Sequence, residues 1–334
     1  MLRRVASAIP SLIGVIIATF LLSRALPGDP AVYFAGPAAN AESVRQVRES
    51  LGLDKSLPEQ FVVYVLDLAR GSLGTSLTTG QQVMDDLIQR LPASMELTFS
   101  ALILAILIAV PLGVFAAARP NSLVDHFCRG AVTVAAAFPT FFVALLLVYV
   151  FYYLLGWAPQ PLGRIDEIYF VAPDPVTGFY LIDTLIAGDT EAFHGSLAQL
   201  VLPSIALAMF ALAPIARMTR AAMLTALGSD FVRTARANGL AASTILFAYA
   251  FRNALLSITN IMGMIFSFLL GSNVLIEQVF GWPGIGAYAV SAVIASDYAA
   301  VQGFILMMAV IYVLLNLVVD LVAGMIDPRV RFES

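Results

Sequence analysis

Charge is what this chain has least of. Only 12% of its 334 residues are Asp, Glu, Lys or Arg, about half the share found in soluble domains, which is roughly 25%. Hydrophobic residues make up 60%, and the mean hydropathy is +0.89. So few charges cannot cover a water-facing surface, which excludes an ordinary soluble enzyme and a disordered protein. The net charge of −4 lacks the basic patch that binding to nucleic acid requires. A single cysteine, Cys128, excludes a disulfide framework and any zinc site built on several thiolates. Two histidines, His126 and His194, leave little for a His-rich metal centre. The composition is that of an integral membrane protein.

A bilayer core of about 30 Å takes roughly 20 apolar helical residues, so the distance between charges measures the spans. Charge-free windows run over Val5–Ser23, Leu97–Ala118, Gly130–Gly163, Ala192–Ala216, Asn253–Ile276 and Tyr298–Val319. A seventh window, Gln278–Ser296, contains Phe280-Gly281-Trp282-Pro283-Gly284-Ile285-Gly286, whose glycines and proline break a helix. It reads as a short extracytoplasmic or re-entrant element. The expectation is an all-α membrane protein with six transmembrane helices and both termini cytoplasmic. That arrangement places eleven arginines and four acids on the cytoplasmic side, leaving seven basic and eighteen acidic residues elsewhere, as the positive-inside rule asks. The apolar run after Arg3 and Arg4 is longer than a signal-peptide core and lacks a clean cleavage site, so it reads as a retained span.

The expected organisation is helix 1 over residues 1–26, an extracytoplasmic helical lobe over 27–93, and a core over 94–326. The core carries an extracytoplasmic insert (157–197) and a cytoplasmic loop (217–252), and a tail follows over 327–334. In the first lobe Ala41–Leu51 and Leu57–Leu68 have amphipathic spacing. Both outer segments read either as lids over the spans or as docking surfaces for a partner.

The cytoplasmic loop is the most informative stretch. Arg217 and Arg220 share a helical face at the membrane exit. Gly228 breaks the helix, Ser229 or Asp230 can cap the next one, and Gly239 suits a left-handed C′ position. Between them Phe231, Val232, Arg233, Thr234, Ala235 and Arg236 form a helix of two turns, too short to be stable alone in water. Phe231, Thr234, Ala235 and Asn238 share one face, with Phe231 the large apolar knob and Arg233 and Arg236 beside it. Such a face suits a groove on another protein or an anionic lipid surface, and physics alone does not separate the two.

Polar groups near span ends also carry two readings each. Glu277 is a wetted interface carboxylate or lines an outer gate. Asn316 and Asp320 share a face four residues apart, lining a cavity or simply solvated. The aromatic run from Phe141 to Tyr153 reads as lipid-facing or interfacial packing.

The run Asp230-Phe231-Val232-Arg233-Thr234-Ala235-Arg236-Ala237-Asn238-Gly239-Leu240, followed by Ala250-Phe251-Arg252-Asn253-Ala254-Leu255, resembles the coupling loop of binding-protein-dependent ABC importer permeases, in particular the dipeptide/oligopeptide/nickel branch. Similar to that branch, too, are Leu26-Pro27-Gly28-Asp29-Pro30, Leu51-Gly52-Leu53-Asp54-Lys55, Gly71-Ser72-Leu73-Gly74-Thr75-Ser76, Arg90-Leu91-Pro92-Ala93-Ser94-Met95-Glu96-Leu97-Thr98, the Phe280–Gly286 stretch and Asp327-Pro328-Arg329. The stretch Asp174–Thr184 resembles dipeptide permeases. One departure is Asn238, where the family usually has Lys or Arg.

The resemblance implies a type I ABC importer permease in a bacterial inner membrane. It implies partners: a second homologous permease, two ATP-binding subunits and an extracytoplasmic solute-binding protein that delivers dipeptides or oligopeptides. By analogy Phe231 is the knob that docks on the ATPase, Gly239 sets the turn, Asp230, Arg233 and Arg236 fix orientation, and Arg217, Arg220 and Arg252 flank the loop. No cofactor is expected on this chain. It has no Gly-x-x-x-x-Gly-Lys-Ser/Thr phosphate loop, so ATP and Mg belong to the partner subunits and the chain is not itself an enzyme. Nickel chelates or glutathione are the alternative cargo within the family. Among other classes, an ATP-independent secondary transporter would usually have more spans and internal repeats. A membrane-embedded enzyme needs a catalytic constellation that is absent here.

Overall fold

The computed structural model describes residues 2–25, 29–36 and 38–326. In chain order the helices are α1 (Leu2–Ala25), α2 (Pro30–Ala35), α3 (Ala41–Ser50), α4 (Leu57–Ala69), α5 (Val83–Ala118), α6 (Leu123–Ala137), α7 (Thr140–Leu147), α8 (Tyr180–Ala187), α9 (Thr190–Leu227), α10 (Asp230–Ala237), α11 (Ala242–Thr244), α12 (Arg252–Phe280), α13 (Ile285–Ile294) and α14 (Tyr298–Ile326). A π-helical turn, Val148–Leu154, extends α7, and another, Ile245–Phe251, joins α11 to α12. Among the described residues there is no β-strand, only an isolated bridge between Thr75 and Gln82.

Of these helices, α5, α9, the run Ala242–Phe280 and α14 are each long and apolar enough to cross a bilayer. A fifth candidate is bent by 92° between Leu123–Ala135 and Thr140–Leu154. This is where the third charge-free window lies, and the window is not one straight rod. Pro139 cannot donate a helical hydrogen bond, and Phe138 before it is extended (φ −103°, ψ 140°), as the residue preceding a proline prefers. In α1 the apolar stretch is shorter, Leu12–Leu22. After α12, Gly281 turns left-handed (φ 62°) and α13 follows with only ten residues, too short to span. Asp327-Pro328-Arg329, the expected tail and Leu26-Pro27-Gly28 lie outside the described residues.

The chain divides into two compact units: Met1–Pro92 with Pro283–Val313, and Ala93–Trp282 with Leu314–Ser334. In the first, Asp297 caps α14 through the Ala300 N–H and accepts hydrogen bonds from the Ser76 hydroxyl (2.6 Å) and the Thr78 N–H (3.1 Å). The Gly71–Ser76 motif thus ends pinned to a helix start far along the chain. Phe20 of α1 meets Phe61 and Tyr64 of α4 edge-on or tilted.

In the second unit α9 packs along α12 and also against α6, α7 and α8. A stripe of five residues spaced four apart on α5, namely Ala93, Leu97, Ala101, Ala105 and Ala109, is wholly buried in this core. Small side chains let transmembrane helices approach closely, which is where dispersion contacts accumulate. The stripe continues to Gly113, where a Cβ would lie 2.6 Å from Thr219 Cβ and 2.8 Å from the Ala216 carbonyl oxygen. No other residue fits that crossing without moving a helix.

Candidate functional site

The 217–252 segment contains a short separate helix, α10, eight residues long. Ser229 takes the N-cap position with extended backbone (ψ 158°), although its hydroxyl donates backwards to the Ala226 carbonyl (2.5 Å) and leaves the helix N–H groups uncapped. Asn238 closes the helix and Gly239 leaves it in the left-handed conformation (φ 73°). Val232 and Ala235, three residues apart, point into the chain and pack with Ile245 and Leu227. This corrects the expected face, which set Ala235 beside Phe231. A two-turn helix must be anchored by something, and the β-branched Val232 with its i+3 neighbour supplies the anchor. Phe231 is left 41% exposed, and Arg233, Thr234 and Arg236 are exposed with it. Asp230 and Arg233 form a 3.1 Å ion pair with side chains 91% and 80% exposed; so wetted a pair contributes little to stability.

The flanking arginines divide. Arg217 and Arg252 are exposed. Arg220 instead grips Asp125 at the start of α6 in a two-pronged ion pair, Nε to Oδ1 and Nη2 to Oδ2, both 2.7 Å. Composition had placed Asp125 only as one of four cytoplasmic acids.

In the same unit, the Ala93–Thr98 part of the Arg90–Thr98 motif is a clamp. The Ser94 hydroxyl donates to Glu277 Oε1 (2.5 Å), the Asn273 amide donates to Thr98 Oγ1 (2.8 Å), and the Trp282 indole donates to the Ala93 carbonyl (2.8 Å). Glu277 is fully buried, so it is not a wetted interface carboxylate. Being long, its side chain turns inward from the last turn of α12 to reach a hydroxyl on α5. Glu96 binds Arg164 of the 157–197 insert (Oε2 to Nη2, 2.5 Å) and the Leu181 N–H (2.9 Å), while the guanidinium stacks 3.6 Å over Tyr180 and donates to the Gly178 carbonyl (2.7 Å). Sequence reasoning missed Arg164 and Asn273 as partners. The signal available was a carboxylate just inside a span, which needs a partner.

Asn316 and Asp320 lie on the exposed side of α14. Among the described residues no three His, Cys, Asp or Glu side chains converge as metal ligands. The aromatic run of α7 and its extension is largely exposed, with Tyr149 and Tyr153 stacked on each other at 5.7 Å.

Several helices long and apolar enough to cross a bilayer define the class, a multi-pass membrane protein. The chain belongs to the binding-protein-dependent transport system inner membrane components: that family's model matches residues 109–332, and the model of its N-terminal part matches residues 1–98. It is therefore a multi-pass inner-membrane permease. It is 43% identical over 317 residues to the probable D,D-dipeptide transport system permease protein DdpB of Escherichia coli, covering 95% of this chain and 93% of that one. It is 41% identical over 339 residues to the di/tripeptide transport system permease protein DppB of Pseudomonas aeruginosa, covering 99% and 98%. The fold is similar to a chain of the MetNI methionine ABC transporter in an inward-facing conformation (TM-score 0.53, 16% identity, 73% of this chain and 97% of that one).

Proposed function

We propose that this chain is a membrane-spanning subunit of an ATP-driven importer of dipeptides and oligopeptides, that it crosses the membrane six times with both termini inside, and that α10 docks on an ATP-binding partner. A second homologous permease completes the translocation path, and an extracytoplasmic solute-binding protein delivers the peptide. ATP and Mg sit on the two partner ATPases. The peptide assignment rests on the names of the curated relatives; nickel chelates or glutathione are the runner-up cargo.

The observation that carries the docking role is the division of α10 into two faces. Val232 and Ala235 hold it to the chain, and Phe231, Arg233, Thr234 and Arg236 face outward around one aromatic knob. Closure of the ATPases on ATP pulls α10, and the bundle opens outward to receive peptide; hydrolysis resets it. Such coupling needs each conformation to favour a different set of partners.

The test is co-purification of the tagged chain in mild detergent, with ATP hydrolysis assayed with and without dipeptide. A second permease, two ATPase subunits and peptide-sensitive hydrolysis are expected. Arg233→Glu, which reverses an exposed charge, should reduce recovery of the ATPase subunits and peptide uptake together. A chain that purifies alone and moves solute without ATP, or an Arg233→Glu variant with intact assembly and uptake, refutes the reading.

A further inference from the structure

Among the described residues the buried apolar contacts of α10 are those of Val232 and Ala235 with Leu227 and Ile245, which by themselves do not explain how its motion would reach the membrane helices. The stiffer connection lies ten residues before it. We propose that Asp125 is a positioning residue that locks the cytoplasmic end of α9 to the α5–α6 hairpin, so that displacement of α10 moves three helices as one piece. The proposal rests on the reading of α10 as the ATPase-docking helix.

The Asp125 carboxylate has no exposed surface and joins three chain segments. Both oxygens accept from Arg220 of α9, Oδ2 also accepts from the Asn121 N–H in the α5–α6 turn (2.9 Å), and Arg129 of α6 stands 3.6 Å from Oδ1. Asn121 adopts a left-handed conformation (φ 62°), a backbone state that few side chains tolerate and that aims its N–H at the carboxylate. Ser122 caps α6 by accepting from the Asp125 N–H (3.3 Å), so the acid is set by its own helix start.

The next residue before Arg220 is Thr219, which fills the Gly113 crossing of α9 over α5. The end of α9 is therefore gripped at adjacent positions by a steric contact and by an ion pair. Beside them Gly113, Ala116, Cys128, Val132 and Ala216 border an apolar gap of about 20 Å³, roughly the size that holds one water. A planar guanidinium on two carboxylate oxygens fixes direction as well as distance, which a single-point ammonium does not.

The test uses the assembled transporter in proteoliposomes and reads substrate moved per ATP hydrolysed. For Asp125→Asn we expect normal recovery of the ATPase subunits, hydrolysis within about two-fold of wild type, and a ratio reduced by about five-fold or more, the lower end of ordinary coupling energies. Arg220→Lys should fall between the two, and Arg129→Ala should keep the wild-type ratio. An unchanged ratio in Asp125→Asn overturns the proposal. So does a loss of uptake matched by loss of assembly, which marks Asp125 as structural only. Arg233→Glu is run in parallel. If that variant stays assembled and coupled, the docking reading fails and this proposal with it. If it uncouples while Asp125→Asn does not, only this proposal fails.

Discussion

Two stretches of this chain look equally motif-like as strings, and the structure puts them to opposite uses. The Ala93–Thr98 stretch turns its polar side chains inward: Ser94, Glu96 and Thr98 are all buried, each bonded to another part of the same chain. The Asp230–Gly239 segment turns them outward, and its two inward residues are apolar. A polar group with its partners inside the fold serves the fold, because an unmatched one there is costly. A polar or aromatic group that the fold leaves exposed on an otherwise anchored helix is available to something else.

The sharpest way to break this comparison is Trp282→Ala. It empties a buried indole site and orphans the Ala93 carbonyl, and we expect about 3–5 kcal/mol of destabilisation, read as a large drop in thermal unfolding temperature in a fixed detergent. Arg164→Ala comes next. It strands the buried Glu96 carboxylate, for which about 3 kcal/mol is expected, with a second readout in protease sensitivity of the 157–197 insert. If either variant is as stable as wild type, the clamp is not structural and the contrast fails.

Phe231→Ala tests the other side. It should change stability by no more than about 0.5 kcal/mol, as exposed substitutions do. Docking should weaken by about 2 kcal/mol, the cost of losing a central aromatic anchor, which is about 30-fold in ATPase-subunit affinity. A variant that unfolds instead would place Phe231 in the core and erase the distinction between the two stretches.

The smallest effect belongs to Asp183 of α8. Burial pushes its carboxyl pKa up, but hydrogen bonds from the Thr177 hydroxyl (2.7 Å), the Thr177 N–H (2.8 Å) and the Gly178 N–H (2.9 Å) outweigh it and leave the pKa lowered. The unfolded chain therefore takes up that proton first. The contribution is complete above the ordinary value of about 3.9 and is lost as pH falls through the lower folded value. Unfolding temperatures measured from pH 7 down to 3 should converge between wild type and Asp183→Asn at the acid end. A constant gap across that range contradicts the assignment.

How much of this was legible beforehand follows from the range of each interaction. The helix at 230–237 shows in the string because its break, its end and its charges are all local. Which side of it faces out does not, since Val232 and Ala235 are turned inward by Ile245 and Leu227, and spacing alone pointed Ala235 the wrong way. Glu277 is similar: its place at a span end is a matter of counting, but its burial depends on Ser94, 183 residues away. The third window was continuous in charge and hydropathy, yet Pro139 bends it, a local signal that hydropathy averages out.

By itself the sequence determined that this is a helical membrane protein with a short arginine-bearing helix near residues 230–237. Those properties depend on composition, charge asymmetry and neighbours within one or two helical turns. Only the tertiary structure decided which motif residues are clamps and which face outward, and that Arg220 pairs with the buried carboxylate of Asp125, 95 residues away. Burial and pairing are set by which helices come to lie side by side, and nothing within a turn or two of Asp125 shows that α9 lies beside it.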